Sequence, residues 1–178
     1  MENLIKIRKA TINDAKTVAE IRYKTWQVAY KDLLPESVLN DFDLEKETKK
    51  RIEYINNNTG LLGLYVAIYN DEVVGFSIIN DAEKTETTKP YIKECGEVYA
   101  IYVLPKYHKL GIGYALMNNN KNVFSKLGYK KFVLWCLKGN EKAAKFYERQ
   151  GGVAIGEEQK ALRGTMQTEI CFLYDLND

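Results

Sequence analysis

The sequence predicts an α/β (α+β) fold: one domain over residues 1–178, with one mixed sheet of about seven strands and helices on both faces. Three observations carry this. Strand-like and helix-like periodicities alternate, in the order β, α, α, three strands, α, β, α, β, β. Residues 61–69 and 73–79 are apolar and β-branched, and Asn70-Asp71-Glu72 between them is a tight hairpin signal. Residues 97–116 read as a buried strand, a glycine-bearing loop and a helix in direct succession.

Taken in order, residues 4–9 alternate weakly through Ile5 and Ile7 and read as a first strand. Thr11 caps a helix, with Asp14 as its capping-box partner. Ile12, Ala15, Val18, Ala19, Ile21 and Trp26 then recur at three and four spacing and make one core face. Tyr23, Trp26, Gln27 and Tyr30 cluster near its end. Leu33-Leu34-Pro35 breaks that helix, and Pro35 opens a short second one. Residues 45–55 are strongly charged and read as a surface helix, followed by a loop at 56–60. After the hairpin, residues 81–93 are polar and read as a mobile surface loop. The helix of residues 111–127 ends at Gly128, with Asn118-Asn119-Asn120 expected on its solvent face because asparagine is a poor helix former. Residues 132–137 read as another buried strand, and a helix from Asn140 to Gln150 ends in the turn Gly151-Gly152. Residues 153–161 and 166–176 close the chain as two strands joined around Arg163-Gly164.

Composition narrows the function. Lys and Arg total 26 against 24 Asp and Glu, a net charge of +2, which lacks the concentrated basic excess of a nucleic-acid surface. No apolar run approaches the ~20 residues that span a bilayer, and the N-terminus has no signal-peptide core, so no membrane contact and a cytoplasmic location are expected. Cys95, Cys136 and Cys171 are odd in number and isolated, which reads as reduced thiols without metal spacing. Asn57-Asn58-Thr59 matches a glycosylation acceptor, which has no meaning without secretion.

The stretch at 97–116 sets the chemistry. Pro105 stops the strand because it cannot donate to a ladder. Gly111 and Gly113 let backbone come close to a ligand, and the helix start adds its positive dipole end, so the pattern suits a phosphate. A Walker loop would need Lys-Ser/Thr after the glycines, and a Rossmann fingerprint would need Gly or Ala where Leu116 stands; neither fits. The run His108-Lys109-Leu110-Gly111-Ile112-Gly113 resembles the pyrophosphate loop of the GNAT superfamily of N-acetyltransferases, Gln/Arg-x-x-Gly-x-Gly/Ala, with His108 in the place of the usual Gln or Arg. The run from Asn140 through Phe146-Tyr147 to Gly151-Gly152 resembles that family's Asn-x-x-Ala-x-x-Phe-Tyr-x-x-x-Gly-Phe signature, with Gly152 in place of the aromatic.

The resemblance implies a GNAT-like, mostly antiparallel sheet splayed at strands 4 and 5, and acetyl-CoA (coenzyme A) as cofactor. It implies that backbone amides at Ile101, Tyr102 and Val103 hold the pantetheine arm and thioester carbonyl. His108, Lys109, Leu110, Gly111, Ile112, Gly113 and Tyr114 would hold the pyrophosphate, and Asn140 the pantetheine. Tyr147 would contact the CoA sulfur and protonate it as it leaves, since a thiol pKa of roughly 8.5 against ~10 for Tyr makes that transfer feasible. Glu97 on the central strand is the first candidate for the base, acting through water, with Tyr99 as the second. Relatives that carry the carboxylate five residues before the Asn have their counterpart here in Trp135. Tyr23, Trp26 and Tyr30 would line the acceptor site, where aromatic faces can hold an amine. The acceptor is a primary amine: a small amine, polyamine, amino acid or peptide N-terminus. A homodimer through the last strands is one arrangement the resemblance allows. The competing function is an acetyl-CoA-binding sensor or regulatory module without turnover.

Overall fold

The structure, a computed structural model, describes residues 5–177. The expected start of the first strand, Leu4, lies outside them. The strands are β1 Lys6–Lys9, β2 Gly63–Tyr69, β3 Glu72–Asp81, β4 Cys95–Val103, β5 Lys131–Leu137, β6 Val153–Leu162 and β7 Thr165–Asp175. The helices are α1 Ala15–Ala29, α2 Glu36–Leu39, α3 Leu44–Asn57, α4 Ile112–Lys126 and α5 Glu141–Arg149. Pro35 immediately precedes the short α2, so three helices precede β2 where the element order anticipates two. The seven strands form one sheet in the order β1-β2-β3-β4-β5-β7-β6. β4 and β5 run parallel, whereas β1–β2, β2–β3, β5–β7 and β6–β7 are antiparallel, so the expected mixed, mostly antiparallel α+β sheet is present.

The chain groups into two compact units: residues through Ile79 with Ala100–Asn120, and Asn80–Tyr99 with residues from Lys121 onward. In the first unit, alternation along the strands sends side chains to two cores. Ala10, Val18, Ile21, Leu64, Val66, Phe76 and Ile78 form one, with Ala100, Tyr102 and Leu104 packed against it. Ala67, Val74, Ile112 and Leu116 form the other, with Ile101, Val103 and Tyr107. Burying each such aliphatic or aromatic side chain is worth about 1.5–3 kcal/mol. Arg8 donates to both carboxylate oxygens of Asp14, and Thr11 N–H donates to the same carboxylate, which ties β1 to the start of the first helix. Asn70 and Asp71 both adopt positive φ, the requirement of a two-residue hairpin turn.

Two polar residues depart from their expected place. Asn120 is fully buried, not solvent-facing, and its Oδ1 accepts from Ser77 Oγ at 2.9 Å. Glu47, on the charged helix α3, is buried against Arg22, Lys50 and Arg51.

In the second unit, Phe124, Phe132 and Tyr174 stack in series on one face of the strands. A Cβ on Gly96 would lie 2.2 Å from the Phe124 ring, so only glycine fits there. Cys95, Val133 and Cys171 pack on another cluster with Ala82, Tyr91 and Trp135. The polar segment 81–93 is a surface loop of turns that makes several hydrogen bonds. Thr88 is fully buried with its hydroxyl on the Glu83 carbonyl, and Thr87 N–H donates to Glu158.

Candidate active site

β4 and β5 pair from Cys95↔Lys131 to Val98↔Leu134, and among the described residues their ladder stops there. Both strands go on, to Val103 and Leu137, and β5 stays paired with β7 as far as Leu137↔Glu169. The parallel ladder among the described residues is thus four residue pairs long. Ile101, Tyr102 and Val103 lie past its end, half-buried, with side chains packed into the two cores. On the other side β3 comes very close: a Cβ on Gly75 would lie 2.8 Å from the Tyr102 carbonyl oxygen.

Pro105 leaves β4 through one 3₁₀ turn, Pro105–Tyr107, and the chain then bends at two left-handed residues, Lys109 (φ 65°) and Gly111 (φ 82°). Ala115 N–H bonds to the Gly111 carbonyl and is the first amide to find its intrahelical partner. The amides of Ile112, Gly113 and Tyr114 precede it and have no partner inside the helix. A glycine at the cap has no side-chain oxygen to satisfy them. Gly111, Leu110 and Tyr114 are exposed, so this cradle of N–H groups opens to solvent. Those orphan donors, the helix dipole and the neighbouring Lys109 fit a pyrophosphate. The His108 Nε2 bonds the Val103 carbonyl at 2.9 Å, which ties the ring to the end of β4.

Tyr23, Trp26 and Tyr30 come off the last turns of α1. Trp26 Nε1 donates to Tyr102 Oη at 3.1 Å, and the Tyr30 and Tyr102 hydroxyls are 3.5 Å apart. Tyr102, singled out in sequence for its backbone, therefore also joins the aromatic cluster through its side chain. The pattern of alternating strand residues places it on the α1 face, but nothing local in sequence pairs it with Trp26. Arg22 lies over the Trp26 ring at 4.3 Å, and Tyr23 stacks on Phe42 with centroids 4.3 Å apart. Gln27 is used structurally, donating to the Leu39 carbonyl.

In the second unit, Glu97 is buried, and its Oε2 accepts from Glu83 N–H at 3.0 Å. Burial pushes its carboxyl above the ordinary range, with Glu83 and Glu169 adding to the rise, while the Glu83 N–H bond and the charge of Lys160 work against it. Asn140 caps α5, its Oδ1 accepting from Ala143 N–H at 3.3 Å. Tyr147 lies two turns on along the same helix face. Its ring is half-buried against Phe146 and Phe172, and its carbonyl accepts from Tyr174 Oη at 3.0 Å. Sequence reasoning did not find the partners grouped with Glu97: Glu83, Lys160 and Glu169 come from a loop and two late strands, and only sheet register brings them together. Among the described residues no cluster of His, Cys, Asp and Glu is arranged to hold a metal, and no helix is long and apolar enough to cross a membrane.

Comparison with known proteins bears on this geometry. The chain is 24% identical over 170 residues to the uncharacterized N-acetyltransferase YuaI of Bacillus subtilis (strain 168), covering 94% of this chain and 91% of that one. It is 23% identical over 150 residues to a spermidine N(1)-acetyltransferase of Thermoplasma acidophilum, covering 83% and 87%. Among solved structures, the PaiA N-acetyltransferase of Thermoplasma acidophilum in complex with coenzyme A superposes with a TM-score of 0.73 at 19% identity, over 97% of this chain and 99% of that one. The yncA protein of Salmonella typhimurium, solved with its cofactor acetyl-CoA, gives 0.73 at 16% identity over 98% and 95%. The model of the acetyltransferase (GNAT) family matches residues 18–152, and with that match the chain belongs to this family of N-acetyltransferases.

Proposed function

We propose that the chain moves an acetyl group from acetyl-CoA to the nitrogen of a primary amine by direct attack of that amine on the thioester. The observation that carries this reading is the run of amides at Ile112, Gly113 and Tyr114 that have no partner inside the helix, behind a left-handed bend at Lys109 and Gly111. When bound, acetyl-CoA supplies an acetyl group on a thiol leaving group. Ile112, Gly113 and Tyr114 bind its pyrophosphate through backbone N–H, with Leu110, His108 and the charge of Lys109 beside them. The backbone of Ile101, Tyr102 and Val103 orients the pantetheine arm. Asn140 spends Oδ1 on the helix cap, so its contact with that arm falls to Nδ2. Glu97 takes the proton of the incoming amine through water, and the rise in its pKa makes it a better base near neutral pH. Tyr147 gives its phenolic proton to the departing sulfur. Tyr23, Trp26 and Tyr30 line the acceptor end, where their rings favour an amine-bearing substrate. Small amines, polyamines, amino acids and peptide N-termini all satisfy that chemistry, and the relative that acts on spermidine adds weight to the polyamines.

The test is a thiol-release assay with acetyl-CoA over a panel of those amines. Release that depends on one amine class is the expected result. Heat stabilisation by acetyl-CoA without thiol release on any amine would overturn the transferase reading and leave a binding module. Equal stabilisation by ATP or NAD would overturn the assignment of the loop.

A further inference from the structure

A second feature of the β5, β6 and β7 face concerns which amine is bound. Lys160 Nζ lies 3.6 Å from the centroid of the Trp135 ring and 3.6 Å from Glu169 Oε2. The Lys160 side chain is 25% exposed and that of Glu169 is 21%, which is unusual for residues that prefer water. Register explains the meeting. Trp135 pairs with Cys171, two residues along β7 from Glu169, and Glu169 pairs with Glu158, two residues along β6 from Lys160. All of these side chains therefore share one face. Trp135 Nε1 is buried with no hydrogen-bond partner, so the indole is placed for its π face, not its N–H.

We propose that the Trp135 face and the Glu169 carboxylate form a subsite for a substrate ammonium group, which Lys160 fills in the free protein and gives up on binding. The inference rests on the transferase reading and refines it. A nitrogen that attacks a thioester must be neutral, but an aromatic and carboxylate seat favours the charged form. The group held there is therefore not the one acetylated. The acceptor then carries two amino groups, a diamine or polyamine, one reacting and one held.

Calorimetric titration with tetramethylammonium, permanently charged and not acetylatable, isolates the seat. Lys160→Met should bind it about tenfold more tightly than wild type, because the resident competitor is gone. Adding Glu169→Gln should abolish that gain. Lys138→Met removes a lysine paired with Glu157 elsewhere on the surface and should not reproduce it. Lys160→Gln serves in the same role if Lys160→Met does not fold. No gain in the Lys160 variants, or an equal gain in Lys138→Met, overturns the subsite. In turnover, Glu169→Gln should raise KM for 1,4-diaminobutane at least fivefold and leave that for 1-aminobutane unchanged. Equal changes for both amines overturn the two-amine requirement. If no amine is turned over, the transferase reading fails, while the titration still decides the subsite.

Discussion

At the residue scale, Tyr147 and Glu97 carry the proposed proton transfers, and Tyr147→Phe and Glu97→Gln test them while keeping the size of each side chain. The backbone carbonyl of Tyr147, not its hydroxyl, holds Tyr174, so Tyr147→Phe keeps that bond. The variant is expected to lose about 10²-fold in kcat, within the ordinary range for one positioned acid, with KM for acetyl-CoA unchanged. Initial rates of thiol release decide this, and full turnover would remove the role. For Glu97 the sign follows from its environment. Burial first, then Glu83 and Glu169, raise its pKa, against the Glu83 N–H bond and Lys160. A base works when deprotonated, so kcat/KM should climb with pH along an acid limb whose midpoint lies above the usual Glu value. Glu97→Gln should lower the rate and erase that limb in a pH profile taken upward from 4, just below the usual Glu value of ~4.3. An unchanged limb assigns the titration to another group. Both residues were nominated by motif position. The burial of Asn120 and Glu47 was not legible, since polar residues on helices read as solvated. Ser77 reaches Asn120 from β3, and Arg22 reaches Glu47 from α1, so partners distant in sequence override the local preference.

At the element scale, the loop between β4 and α4 was legible because its need is local. Glycine at a left-handed position and an uncapped helix start are written within a few consecutive residues. Gly111 shows what that position demands: among the described residues an added Cβ would meet Ile5 Cδ1 alone, at an ordinary 3.7 Å, and the positive φ is the constraint. Placing an L-residue there costs about 1–2 kcal/mol, which the loop can relieve by refolding and turning its amides away. Gly111→Ala is therefore expected to raise KM for acetyl-CoA at least fivefold while kcat changes less than twofold, read from saturation curves in acetyl-CoA. An unchanged KM would mean that the amides do not bind the pyrophosphate. The hydrogen bonds of segment 81–93 were illegible for the opposite reason. Glu97 and Glu158 accept from the amides of Glu83 and Thr87 across long sequence separations, and composition alone gives only polarity.

At the scale of the whole molecule, we propose that the chain unfolds as one domain although it groups into two compact units. The division falls inside three elements: β3 is cut after Ile79, β4 after Tyr99 and α4 after Asn120. A strand or helix cannot melt along half its length without fraying the rest, because each hydrogen-bonded turn or pair supports the next. Thiol chemistry offers a probe of one unit alone. Cys95, Cys136 and Cys171 all lie in the second unit and are buried. Burial pushes the Cys95 thiol up to about 11 and those of Cys136 and Cys171 up to about 12. At pH 8 the native thiols should therefore resist an alkylating reagent, which attacks through the thiolate. The longest helical stretch of the first unit, α1 with α3, dominates far-UV circular dichroism for that unit. In a urea titration, alkylation of the three cysteines and loss of the helical signal should share one midpoint. Labelling at a urea concentration where the helical signal is intact would show that the second unit opens by itself, and the single-domain reading would fall.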